Sequence, residues 1–235
     1  MKTFPIFPHV KALNIWDLDG TVINSFKRVS PCLDEAGNLD LVKYVTEACH
    51  HDKIMCDTLL PLVSVMLAAQ ERGDHNVIVT ARRMSNSDYY FLRKQGLRGR
   101  GDKSIQAFSR DTLARYFPLD QVKERYYSRD AEYKRGYFEI LRAQYPNAVI
   151  TVYDDHKGVL AVAREMGFNA VDAVLINDAL EIGMKLIGEQ LMDETLCDDL
   201  DLDYLKAKIE FAWDCMTDEE KAEYTGQTHL LNRVA

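Results

Sequence analysis

The sequence predicts an α/β fold, a Rossmann-like parallel sheet with flanking helices, from three observations. Short β-branched runs recur at residues 12–16 (ALNIW), 76–79 (NVIV) and 148–153 (AVITVY). They are mostly apolar rather than strictly alternating, which suits strands buried on both faces, as in a parallel sheet. Helix-like periodicity follows each run within a few residues, as crossover connections require, and each run ends in polar residues that parallel strands would bring to one edge.

Taken in order, the first run ends in DLDGT, a turn. Residues 58–70 (TLLPLVSVMLAAQ) read as an amphipathic helix ended by Gly73, ahead of the second strand and its TARR end. Residues 134–144 (KRGYFEILRAQ) form the next helix, stopped before Pro146. The third strand ends in DDHKG, residues 159–166 (VLAVAREM) make a helix ended by Gly167, and residues 170–176 supply a last strand. Two stretches, 24–57 and 84–129, lack strong strand or core-helix patterning and are expected to be small lid insertions. The core is expected to span residues 1–177 as one domain, with 178–235 a helical acidic extension packed on it.

Composition bounds the class. With 235 residues, 47% hydrophobic and 28% charged, the chain can bury a sizeable core, which excludes disordered, collagen-like and coiled-coil classes. No apolar run reaches the roughly 18 residues of a membrane span. The N-terminal residues carry prolines and charges where a signal peptide needs an apolar stretch, so a cytoplasmic protein without membrane contact is expected. Cys32, Cys49, Cys56, Cys197 and Cys215 form no CxxC pair, and reduced thiols are expected. The net charge of -8 is uneven: residues 82–135 hold 14 Lys or Arg against 7 Asp or Glu, and residues 178–224 hold 15 acidic against 4 basic.

The strand ends carry the chemistry: Asp17 and Asp19, then Thr80 and Arg82, then Asp154 and Asp155. Four converging carboxylates cannot all stay ionised without a compensating cation. Magnesium fits best, being held by a few carboxylates with waters and a substrate phosphate. In Asp17-Leu18-Asp19-Gly20-Thr21 the two carboxylates are spaced i, i+2 and can face one phosphoryl group, one as nucleophile and the other as acid and base.

Four motifs in this order resemble the haloacid dehalogenase (HAD) superfamily of phosphotransferases. The resemblance implies Asp17 as nucleophile, Asp19 as general acid and base, and Thr80 and Lys134 as holders of the phosphoryl group. It implies Asp17, Asp154, Asp155 and Asp19, the last through its backbone carbonyl, as magnesium ligands. More narrowly, the chain is similar to the phosphatase domain of bacteriophage polynucleotide kinase/3′-phosphatase, which has an arginine at the place of Arg28, Ser-Gly-Arg where this chain has Thr80-Ala81-Arg82, and an Asp four residues before its lysine, like Asp130 before Lys134. Arg28, Arg82 and Asp130 are accordingly expected at the substrate. No GxxxxGK[ST] loop is present, so no kinase half is expected.

The leading expectation is a magnesium-dependent phosphomonoesterase acting through an aspartyl phosphate on polynucleotide 3′ ends. The alternative is a phosphatase of free nucleotides or other small phosphorylated metabolites, and the remote one a non-catalytic binding protein. No protein partner is predicted. His50 and His51 read as surface histidines, His156 as a rim residue, and Tyr89, Tyr90 and Phe91 beside Arg93, Lys94 and Arg98 as either cap packing or a stacking surface for nucleic acid.

Overall fold

Seven strands form in the computed structural model, which describes residues 4–35, 37, 39–98 and 105–192. They are β1 (Ala12–Trp16), β2 (Ile23–Asn24), β3 (Thr58–Leu59), β4 (His75–Val79), β5 (Gln106–Phe108), β6 (Val149–Asp154) and β7 (Asn169–Asp172). Five make a sheet in the order β5-β4-β1-β6-β7 with every pairing parallel, while β2 and β3 form a separate antiparallel pair. The fold class expected from the sequence is the one observed.

Period-two alternation along the strands builds a core on each side of the sheet. Leu13, Ile15, Val77, Val79, Ile150 and Val152 face the helix Asp130–Gln144, which contributes Tyr133, Tyr137, Phe138 and Leu141, and the helix Lys157–Glu165. Trp16 and Ile78 turn the other way, toward Met66 and Ala69 of the helix Val63–Glu71 and Phe91 and Leu92 of the helix Asn86–Lys94. Trp16 stacks on Tyr153 at 3.9 Å and donates its indole N–H to Asn76 Oδ1 at 2.8 Å, so its polar atom is satisfied inside the apolar layer.

Three sequence expectations are revised. Residues 84–129 are not a lid: their described part supplies the helix Asn86–Lys94, the edge strand β5 and the helix Leu119–Tyr127, and buries Phe91, Leu92, Leu97 and Phe108. A three-residue strand carries too little periodicity to stand out in the sequence. The helix expected from residue 58 starts at Val63, because Pro61 disfavours helical backbone before it and Thr58–Leu59 pairs with β2 instead. The run 170–176 divides at Asp172, whose side chain accepts from Val174 N at 3.0 Å at the start of the helix Ala173–Met192.

The chain divides into two compact units, residues 1–181 and 182–235. Most of the expected acidic extension, from residue 193 on, lies outside the described residues, as do Cys197 and Cys215. Cys32, Cys49 and Cys56 are free thiols. Among the described residues, no helix is long and apolar enough to cross a membrane.

Candidate active site

Parallel pairing sets the carboxyl ends of β1, β4 and β6 side by side, and the polar residues after each strand line a common cleft of about 860 Å³. Asp17 follows β1 and donates its N–H to Tyr153 O at 3.0 Å. Thr80 follows β4 and donates its N–H to Phe108 O at 3.0 Å; its hydroxyl oxygen accepts from Arg82 N at 3.1 Å. Asp154 closes β6 and accepts from His156 N at 3.0 Å. Lys134, in the second turn of the helix Asp130–Gln144, reaches in from the side.

Lys134 Nζ donates to Asp154 Oδ2 at 2.6 Å and stands 2.8 Å from Asp17 Oδ1. Burial opposes its charge, but the two carboxylates outweigh burial and keep it an ammonium. Asp17, Asp154 and Asp155 each offer one oxygen, all within 4.8 Å of one another. Burial pushes Asp17 well above the ordinary carboxylate range; Lys134 pulls it back, and Asp154 and Asp155 add to the rise. Burial and Asp154 likewise push Asp155 up to about 6. One ammonium among three carboxylates leaves two negative charges uncompensated, which a divalent ion with oxygen ligands balances, so the residues fit magnesium. Gly20 has φ +73 and lies against Asp155, where any Cβ would strike the carboxylate.

Asp19 belongs to a different cluster, and its side chain is not among the three clustered carboxylates. Ser25 Oγ donates to its Oδ1 at 2.5 Å, Arg82 Nε donates to its Oδ2 at 2.8 Å, and Arg82 Nη2 also engages Oδ1. Burial works against the charge on Asp19, but the Arg82 guanidinium and these hydrogen bonds prevail and lower its pKa to about 2. Arg82 is buried and also donates to Asp88 Oδ1 at 2.9 Å and Asp57 Oδ2 at 3.3 Å. Arg28, expected at the substrate, is instead buried away from the cleft lining. Its Nε donates to both oxygens of Asp57, at 2.8 and 3.0 Å, and its Nη2 lies 3.8 Å from Asp19 Oδ1. An arginine in a weakly patterned stretch looks exposed in sequence, whereas here Asp57, near the far end of the same stretch, folds back to pair with it.

Asp130 lines the cleft but orients neither Lys134 nor Arg82; it accepts from Arg110 Nη2 at 2.8 Å. Arg110 also donates to the carbonyls of Ala81 and Tyr126, tying the end of β4 to the turn before Asp130. Arg110, Asp57, Ser25 and Asn177 are site residues that sequence reading missed. Asn177 Nδ2 donates to Thr21 O at 2.9 Å while its Oδ1 accepts from Leu62 N at 2.8 Å, pinning the DLDGT turn. None of these four left a signal in the sequence; Asp88, the further partner of Arg82, did, as the Ser85-x-x-Asp88 capping box at a helix start.

His156 lines the cleft rim; its Nδ1 accepts from the N–H groups of Gly158 and Val159, capping the helix Lys157–Glu165. His50 and His51 lie outside the cleft lining, paired with Thr46 O and Ser87 Oγ. Arg93, Lys94 and Arg98 also lie outside it, Phe91 is core, and Arg98 packs over the Tyr89 ring at 4.8 Å. That region is packing rather than a surface over the strand ends.

Comparison with known proteins adds the family. Residues 2–235 match the family described as bacteriophage T5 5'-deoxynucleotidase. A 5'-deoxynucleotidase of Escherichia phage T5 is 56% identical over 220 residues, covering 93% of this chain and 90% of that protein. A haloacid dehalogenase-like family hydrolase of Streptococcus pneumoniae aligns with a TM-score of 0.44 and 12% identity, over 71% of this chain and 90% of that one. The chain belongs to the bacteriophage T5 5'-deoxynucleotidase family, and it is a hydrolase of phosphoric monoesters.

Proposed function

We propose that this protein is a magnesium-dependent nucleotide phosphatase that removes the 5′-phosphate of deoxyribonucleoside monophosphates. The observation that carries the reading is the 56% identity to a 5'-deoxynucleotidase over nearly the whole of both chains. It favours the free-nucleotide alternative over the polynucleotide 3′ end. The cleft supports it with a nucleophile, an acid/base group and a fixed cation close together.

In this reading Asp17 attacks phosphorus, the P–O5′ bond breaks, and an aspartyl phosphate forms while Asp19 gives a proton to the departing O5′. Asp19 then takes a proton from water, whose oxygen attacks phosphorus and releases inorganic phosphate and free Asp17. Arg82 keeps Asp19 as a carboxylate, the form the second half requires, so Asp19 must take up a proton before the first half. The Thr80 hydroxyl and Lys134 hold phosphoryl oxygens in place. Asp17, Asp154 and Asp155 would hold magnesium, which when bound supplies charge to offset that of the phosphoryl group. Preorganised charge of this kind is the main contribution a protein makes to phosphoryl transfer.

The test is a comparison of kcat/KM, with magnesium, for a 5′-deoxynucleoside monophosphate, its 3′-isomer and a 3′-phosphorylated oligonucleotide. The 5′-monophosphate is expected to be the best substrate. A higher value for the oligonucleotide would return the 3′-end reading to first place.

A further inference from the structure

We infer that the outer part of the catalytic cleft is a seat for the nucleobase, built by Leu39, Val42, Val45, Tyr126 and Tyr127; the inference rests on the nucleotide reading above. The cleft, at about 860 Å³, has the size of pockets that enclose a whole small molecule, far more than a phosphate group needs. Its chemistry-bearing residues gather at one end, Asp17, Thr80 and Asp154 at the strand ends and Lys134 reaching in from the helix Asp130–Gln144. The rest of a substrate anchored there must lie along the remaining lining.

That lining is apolar where the protein could have been polar. Val42 and Val45 lie three residues apart in a short helical stretch, Leu39 pairs with Leu33 in an isolated bridge just before it, and Tyr127 ends the helix Leu119–Tyr127. Val42 is 75% exposed and Tyr127 71%, yet both line this cleft, as do Leu39 and Val45. Large apolar groups left in water gather where a ligand covers them. Tyr44, which also lines the cleft, is buried with the Arg28 guanidinium 5.9 Å from its ring, and this contact anchors the stretch that carries Val42 and Val45.

Charge decides between a nucleobase and a longer strand. Among the described residues, every Lys or Arg lining the cleft already has a protein partner. Lys134 is held by Asp17 and Asp154, Arg82 by Asp19, Asp57 and Asp88, Arg83 by Asp111 at 3.5 Å, and Arg110 by Asp130 and backbone carbonyls. A polynucleotide needs cations for its flanking phosphates as well as rings for its bases. A mononucleotide needs the apolar surface alone once its single phosphate is bound.

The test uses Val42→Asp and Tyr127→Ala, singly and together, with Tyr127→Phe as the conservative control. Both sites are largely exposed, and an unchanged Tm checks the fold. The readout is the kcat/KM for a 5′-deoxynucleoside monophosphate divided by that for deoxyribose 5-phosphate, which has the same sugar and phosphate but no base. The double variant is expected to lower this ratio at least about tenfold, equal to about 1.4 kcal/mol, through KM. Tyr127→Phe should keep most of it, since the ring remains. An unphosphorylated deoxynucleoside should inhibit aryl phosphate hydrolysis competitively in the wild type and several-fold more weakly in the double variant. A ratio that does not move, or an equal loss on both substrates, overturns the seat. A wild type that hydrolyses both substrates equally well overturns the seat while leaving the nucleotidase reading standing. A wild type that hydrolyses deoxyribose 5-phosphate but no deoxynucleotide overturns both.

Discussion

Asp17 and Asp19 stand two residues apart, and their surroundings drive their carboxyls in opposite directions. Burial raises the pKa of Asp17; Asp154 and Asp155 add to the rise, and the one ammonium in the cluster, Lys134, offsets only part of it. Asp19 shares two guanidinium groups, Arg82 and Arg28, with Asp57 and Asp88, so its pKa falls to about 2. The first cluster is short of positive charge and suits an added cation. The second is almost closed within the protein and suits holding one carboxylate in one orientation. An i, i+2 pair at a strand end can thus serve two chemical roles without two separate sites.

The largest expected effect breaks the first cluster. Asp17→Asn should lower turnover by at least about ten-thousand-fold, because an amide neither attacks phosphorus nor ligates magnesium as a carboxylate does. Asp19→Asn should still form phosphoenzyme from an aryl phosphate, whose leaving group needs no proton, and then stall; rapid-quench detection of the acyl phosphate checks this. Loss of phosphoenzyme in both variants would show that the two carboxylates are not divided as the comparison holds.

Next comes a break in the second cluster. Arg82→Gln leaves Asp57 and Asp88 buried with fewer partners, for an expected loss of about 3–5 kcal/mol and a Tm lower by more than about 6 °C. Thermal unfolding measures it. A variant as stable as the wild type would mean that the second cluster does not depend on its central arginine.

A smaller effect sharpens the contrast through pH. In metal-free protein Asp17 and Asp155 are raised, Asp155 to about 6, so the folded state binds more protons than the unfolded state between that value and the ordinary carboxylate range. The penalty from this cluster is therefore present above pH ~6 and fades as pH falls toward ~4, giving a stability gain on acidification. Magnesium binds the deprotonated form, so the Tm gain it confers should be larger at pH ~7.5 than at pH ~5. Calorimetry with and without magnesium decides it; a gain that grows on acidification would refute the charge deficit.

The smallest effect lies outside both clusters. Replacing Arg93 and Lys94 by Gln should leave kcat/KM on a 5′-deoxynucleotide within about twofold and stability within ~0.5 kcal/mol, as for surface changes that touch no site. A severalfold loss would bring that basic helix back into the substrate site.

Local pattern made part of this legible. β1, the DLDGT turn, the TAR end of β4 and the Asp154-Asp155 end of β6 each follow from a few adjacent residues, and parallel pairing then forces Asp17, Thr80 and Asp154 together. Lys134 was legible only through the resemblance to the HAD motifs, since a lysine early in a periodic helix carries no mark of a site by itself. The substrate class was not: a basic count over residues 82–135 suggested a nucleic-acid surface, but a count has no direction, and Arg93, Lys94 and Arg98 are not among the residues lining the cleft.

The sequence by itself determined the parallel sheet, its core-facing residues and the set of groups at its carboxyl edge, because strand periodicity and strand-end chemistry are written within short windows. Only the tertiary structure decided which charges pair. Arg82 meets Asp19 across 63 residues and Arg28 meets Asp57 across 29, separations with no period to read. It also decided that residues 84–129 carry an edge strand, since three residues of β5 are defined by pairing to β4 rather than by their own pattern. Partner choice for a buried charge depends on which opposite charge the fold brings within a few ångströms, and that distance is a property of packing, not of sequence order.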